Sequence, residues 1–317
     1  MPLSSRRGPW KPVPTTWTPQ RTTSVAGRLS RAYEATPPHL LEAGAAFYPT
    51  WNETADHVGQ HLGKSVEHGA AVLAHLSPAN EAEVNRIQGL QMVHGVSDKG
   101  LGHLVRAGEH ATMAKSTEVR LRHMQPGTRA HTALSDDHAA HTAEIERLRR
   151  VAGVRGTPLG SLGSRELGNA ARVIMGHHDD DPLGSLGSMK IRDFGGDIAD
   201  PNSHRVPIDT HYHDAAEGRI DIPYKANRGL LAVGRYEGYQ GASVQAWQNT
   251  APDIRHSAFM GGIWYGHQQR KVDANPNALK SRRASDSKIA GIRANPAFAH
   301  FMPEAHGLSP AFGKIGT

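Results

Sequence analysis

Residues 207–214 read PIDTHYHD, and the fold turns on whether this octapeptide is a strand or the start of a helix. On a strand, Asp209, His211 and His213 all point one way, because side chains alternate along extended backbone. As a helix start, Asp209 is an N-cap, since Asp ahead of Thr-His-Tyr suits the position whose side chain accepts a first-turn N–H.

Working outward, the chain reads as helices. Phe47, Trp51, Ala55, Val58 and Leu62 recur at three- and four-residue steps, with Pro49 read as a first-turn proline and Gly63 past the end. Ser65 is placed to cap the next helix, whose buried side is Val66, Ala70, Leu73 and Leu76 before Pro78 breaks it. Helices are expected over Glu81–Met92 and Leu101–Met124. Ser135 reads as the start of another, with Asp136 and Asp137 in its first turn, Arg147, Arg149 and Arg150 in its last, and Gly153 beyond. That charge order matches the helix dipole.

The string PLGSLGS occurs at 158–164 and again at 182–188, each copy leading into an expected helix, Arg165–Met175 and Met189–Ala199. Two copies do not make a solenoid; they read as two similar caps, or as backbone N–H groups presented to a phosphate. After Asp209 helical patterns resume around Leu230, Val233, Tyr236–Tyr239, Val244–Trp247 and Ile263–Tyr265. No stretch sustains two-residue alternation, so the expected fold class is all-α.

Composition narrows the function classes. The 317 residues carry 36 Lys+Arg against 30 Asp+Glu, a net charge of +6, with 21 histidines and no cysteine. Disulfides, thiolate zinc sites, Cys nucleophiles and cysteine-ligated iron–sulfur clusters are excluded. The moderately basic balance is compatible with nucleic acid. No run approaches the ~18 apolar residues of a membrane span, and Arg6, Arg7 and Lys11 precede no apolar signal core. A cytoplasmic protein is expected, with no membrane partner. Residues 1–25, rich in Pro, Thr, Ser and Arg, read as a flexible arm, 26–266 as a helical domain with an extra segment near 95–155, and 267–317 as a basic tail.

Two chemistries compete for the octapeptide. Asp209, His211 and His213 are similar to the D-x-H-x-H that opens metal-dependent hydrolases of the amidohydrolase class, and carboxylate and imidazole are proper zinc or manganese ligands. Those families place the string on the first strand of a (β/α)8 barrel, and the residues beyond His213 do not alternate strand and helix.

The second match has two parts in order. Leu186-Gly187-Ser188-Met189-Lys190, a helix to Ala199, a turn at Asp200-Pro201, then Val206-Pro207-Ile208-Asp209-Thr210-His211 form the later part; Val72-Leu73-Ala74-His75-Leu76-Ser77-Pro78 with Val84-Asn85 forms the earlier. Together they resemble the helix-hairpin-helix (HhH-GPD) DNA glycosylase superfamily. They are also similar to compact members encoded by actinobacterial phages, which carry a later Q-A-x-W element; Gln245-Ala246-Trp247 stands in its place here, with no residue between the alanine and the tryptophan. The resemblance implies a two-lobed helical bundle with flexible termini, acting from the cytoplasm of a phage host. Asp209 would stabilise an oxocarbenium-like transition state, and Lys190 would be a Schiff-base nucleophile. Ser77, Asn80, Asn85 and His211 would shape the base pocket. Gly184, Gly187, Ser188, Arg282 and Arg283 would hold phosphates. The expected partner is double-stranded DNA, with a monomeric protein and no cofactor. The departures are Pro78 and Asn80 where the family carries a glutamine, and a long acidic hairpin over 176–188. Two further readings stay open: a relative that only binds DNA, and the metal-dependent hydrolase of Asp209, His211 and His213.

Overall fold

A computed structural model describes residues 17–77, 82–220, 233–275, 277, 286–287 and 289–309. The fold class is all-α, with no strand among the described residues. The helices are α1 (Pro19–Glu34), α2 (Pro38–His61), α3 (Val66–Leu76), α4 (Ala82–Gly95), α5 (Asp98–Leu121), α6 (Arg129–Val151), α7 (Ser164–Ile174), α8 (Met189–Ala199), α9 (Thr210–Ala216), α10 (Val233–Thr250) and α11 (His256–Ala274). None of the described helices is long and apolar enough to cross a membrane.

Two apolar cores organise the chain. One gathers Val25 and Leu29 of α1, Tyr212 of α9, Tyr236 and Tyr239 of α10 and Phe259 and Ile263 of α11. The other gathers Val72 and Leu76 of α3, Leu90 of α4, Leu104 of α5 and Leu167 and Val173 of α7. Helix α2 runs between them. Its Val58 belongs to the second core, and its Leu40 packs with Tyr265 of α11. Between these, Tyr48, Trp51 and Ala55 meet Leu73 of α3 and Ile198 of α8.

The α2–α11 crossing is made backbone against backbone. A Cβ on Gly44 would stand 2.2 Å from the Gly262 nitrogen, and one on Gly261 would stand 2.4 Å from the Gly44 oxygen. Only glycine permits that approach. Beside the crossing lies Pro49, which falls inside α2 rather than in its first turn; Pro38 takes the N-terminal position instead. A proline in mid-helix removes the N–H that would serve the carbonyl four residues back. Here that carbonyl, of Ala45, accepts a hydrogen bond from Arg255 Nη2 at 3.2 Å. A tertiary donor thus replaces the missing helical one.

Other boundaries also differ from expectation. Helix α1 begins at Pro19, so residues 19–25 are its first turns and not arm; Thr18 caps it, and Val25 is fully buried. Its Val25–Leu29 stripe finds a surface on α9 and α10 that local composition does not reveal. Helix α6 opens at Arg129, capped by Thr128, with Ser135 well inside it. Only Leu148 of α6 is buried, and the short polar residues of an exposed face imitate a cap. The 95–155 segment is an antiparallel hairpin of α5 and α6 with α5 against α7. Residues 289–309 dock on α4: Phe301 and Met302 pack with Ile87, and Arg293 pairs with Glu83 and Glu304. The arm residues 1–16 and most of 276–288 lie outside the described residues.

The PLGSLGS copies fold alike. Each makes a 3-10 turn, Pro158–Ser161 and Leu183–Ser185, followed by α7 and α8 respectively. In each the serine hydroxyl donates to the proline carbonyl, Ser161 to Pro158 at 2.9 Å and Ser185 to Pro182 at 2.6 Å.

Substituting Gly44 by Ala is expected to destabilise the protein by at least about 1–3 kcal/mol, the cost of overpacking a close contact, read by urea denaturation. Acid should also destabilise it. Burial, with positive neighbours second, holds His75, His256 and His267 down at about 4. These groups stay neutral in the fold while the unfolded chain takes up protons below ~6.5, so their stability contribution is lost as pH falls from about 6.5 toward 4. Asp193, pushed up to about 6 by burial, and Asp197, pushed well up by burial, contribute in the opposite sense and offset part of that loss. Melting temperature followed from pH 7 to 4 should fall, and His256→Gln should flatten the slope.

Candidate functional site

The segment before Asp209 is held from α10. Val206, Pro207 and Ile208 are buried, and the Tyr236 hydroxyl accepts from the Ile208 N–H at 2.9 Å while donating to the Val206 carbonyl at 3.0 Å. Asp209 then caps α9. Its Oδ1 accepts from the Tyr212 N–H at 2.8 Å, and its Oδ2 accepts from Trp264 Nε1–H on α11, also at 2.8 Å. Both oxygens are therefore fixed by donors from two elements.

The helix that starts at Thr210 removes the three-ligand face. Successive residues on a helix rotate by about 100°, not 180°. His213 turns into the first core, with Nε2 2.9 Å from the Tyr239 hydroxyl. His211 lies edge-on to Trp264 at 5.9 Å and near His267. Asp209, His211 and His213 do not converge, and with no strand among the described residues the metal-hydrolase expectation is corrected.

A cavity of about 160 Å³ opens beside Asp209. It is comparable to the ~150 Å³ that accommodates one benzene ring. Its aromatic walls are Phe47, Tyr48 and Trp51 of α2, Phe194 of α8 and Trp264 of α11. Trp51 and Phe194 meet edge-to-face at 5.2 Å, and Phe47 touches Trp51 and Trp264 at 5.8 and 5.9 Å. Besides the aromatic residues, Ser77, Asn85, Lys190 and Asp209 bring polar groups to its lining.

Asn85 is 1% exposed; its Nδ2 donates to the Leu73 carbonyl at 3.2 Å, and its Oδ1 has no partner among the described residues. A buried acceptor left open costs free energy unless a ligand or water serves it. Ser77 Oγ donates to the Ala74 carbonyl at 2.9 Å. Lys190 stands exposed in the first turn of α8. The Tyr48 hydroxyl is pushed well up, first by burial and then by the carboxylates of Asp197 and Asp209, so it is a neutral donor at any physiological pH.

Four expected residues, Ser77, Asn85, Lys190 and Asp209, thus come together from α3, α4, α8 and α9. His211 lies beside them without lining the cavity. Of the expected phosphate binders, Ser188 caps α8, accepting from the Ile191 N–H at 3.3 Å, and Gly187 is exposed with open space around it. Gly184 differs: its N–H donates to Asp181 Oδ1 at 2.7 Å, so a carboxylate already stands where a phosphate would. Asn80, Arg282 and Arg283 lie outside the described residues. Tyr48, Phe194 and Met260 were not singled out from the sequence, and Phe47 and Trp51 read there as a core stripe. Phe47-Tyr48 followed by Trp51 on one helix was the available signal.

Residues 12–143 match a family described as a family of unknown function, DUF7178. That span carries Phe47, Tyr48, Trp51, Ser77 and Asn85 but neither Lys190 nor Asp209. No curated protein matches the chain, and no solved structure does.

Replacing Trp264 with Phe keeps the wall and removes the donor to Asp209. The expected cost is about 1.5–3 kcal/mol, the range for a hydrogen bond to a charged group, measured by chemical denaturation.

Proposed function

We propose that this protein is a helix-hairpin-helix glycosylase-like enzyme that extrudes one nucleotide from duplex DNA, seats its base in the aromatic cavity and breaks the N-glycosidic bond. The observation that carries the reading is the convergence of a carboxylate and an amine, Asp209 and Lys190, on a ring-sized cavity walled by aromatic side chains. Flat heteroaromatic rings stack on such walls. The open Oδ1 of Asn85 supplies an acceptor for an N–H on the edge of the base.

Breaking the bond from sugar to base leaves positive charge on the sugar. A carboxylate already fixed by the Tyr212 amide and Trp264 indole needs no reorganisation to stabilise that charge. The base leaves with the bonding electron pair; water adds to the sugar carbon and its released proton goes to the departing base, or the Lys190 amine adds there, gives up its proton in the same way, and the ring C–O bond opens to leave a Schiff base. The start of α8 at Gly187-Ser188 gives a flanking phosphate backbone amides. The net charge of +6 favours a polyanion.

A second reading, base binding without cleavage, draws on the same cap: both oxygens of Asp209 are already committed inside the protein.

A panel of duplexes with varied modified bases, offered to wild type and Asp209→Asn, separates the two. The enzyme reading expects unchanged affinity and a loss of cleavage of about 100-fold or more in the variant. Wild type that binds duplexes but cleaves none leaves the binding reading; wild type that binds no DNA removes both. Borohydride should trap a covalent adduct with wild type and none with Lys190→Gln if the amine is the nucleophile.

A further inference from the structure

At the far ends of α2 and α4 from the cavity, histidines gather from three segments distant in sequence. His57 lies in the last two turns of α2, His94 in the last turn of α4 and His306 in the 3-10 turn Pro303–His306. One ring nitrogen from each lies within 4.8 Å of the others. The Nε2 atoms of His57 and His94 are 3.0 Å apart. His94 and His306 stack at 4.4 Å, and His57 lies 4.8 Å from His306. His61, one turn on from His57, places its ring 4.1 Å from His94 at the exposed rim.

We infer that His57, His94 and His306 form a binding site for a zinc-class divalent transition-metal ion, with the fourth position open to water or to His61. Two nitrogens bound to one tetrahedral zinc at ~2.0–2.1 Å stand roughly 3.3 Å apart, close to the His57–His94 separation. Imidazole sets of this kind suit zinc, copper and nickel rather than magnesium or calcium. His306 is also oriented as metal-bound histidines commonly are: its Nε2 lies 2.9 Å from the His300 carbonyl, which puts the proton there and the lone pair on Nδ1. Without an ion, three imidazoles crowd one another with a single hydrogen bond between them; an ion gives all three lone pairs one acceptor.

The site would act as a clamp. It joins α2, which carries Phe47, Tyr48 and Trp51, to α4, which carries Asn85, and ties the docked 296–306 segment to both. Metal binding would then register as folding stability.

The test is calorimetric titration of the metal-stripped full chain with zinc chloride, paired with thermal melts. The expected result is one zinc per chain and a raised melting temperature. His94→Ala and His306→Ala should each weaken binding beyond the ~10–100-fold typical of losing an outer-shell partner and abolish the thermal shift. His110→Ala tests the other close histidine pair, His110–His141, and should change neither. All three histidines are partly exposed, so the variants are expected to fold, and far-ultraviolet circular dichroism checks that they do. No stoichiometric zinc in wild type overturns the proposal. So does zinc binding that survives in both His94→Ala and His306→Ala, or that disappears with His110→Ala.

Discussion

Helices α2 and α11 cross at Gly44, Gly261 and Gly262 with no side chain between the two backbones, and the cavity depends on that contact. The approach brings Phe47 and Trp264 within ring contact, and it puts the indole N–H of Trp264 where it can fix Asp209. Ordinary side chains at the crossing would push the two helix axes out toward the ~8–10 Å usual for side-chain contact. Phe47 and Trp264 would then part, and Asp209 would keep one donor instead of two.

The same neighbourhood shows how local departures are offset by tertiary partners. Pro49 leaves the Ala45 carbonyl without its helical donor, and Arg255, just ahead of α11, supplies one. The extended stretch 206–208 lacks the backbone ladder of a sheet, and Tyr236 satisfies its N–H and C=O with one hydroxyl. Both cases follow from the requirement that buried backbone groups be paired. Both also stiffen a wall of the cavity, since α2 is one wall and Asp209 is the next residue after Ile208.

Some of this was legible in the sequence. Absence of period-two alternation gave the all-α class, because an amphipathic helix and a half-buried strand leave different spacings. Capping chemistry is local, so Asp209 before Thr210 and Ser188 before Met189 were readable as caps. The two PLGSLGS copies fold alike because their turn geometry is set within seven residues. Boundaries were harder. Ser135 has the composition of a cap yet sits inside α6, and Pro49 has the composition of a first-turn proline yet sits inside α2. In each case the residue's meaning depends on what packs there, which no window of sequence contains.

The chain by itself determined its all-α class, the caps at Ser188 and Asp209 and the chemical identity of Asp209, Lys190, Asn85 and Ser77, since these follow from side-chain spacing and local hydrogen bonding. Only the tertiary structure decided that the four share one cavity, and that Tyr48 and Phe194 help wall it. It alone placed His57, His94 and His306 together, and it alone separated Asp209 from His211 and His213. Those outcomes rest on contacts between residues far apart in the chain, where a glycine crossing or a single tyrosine sets the geometry and no periodic pattern records it.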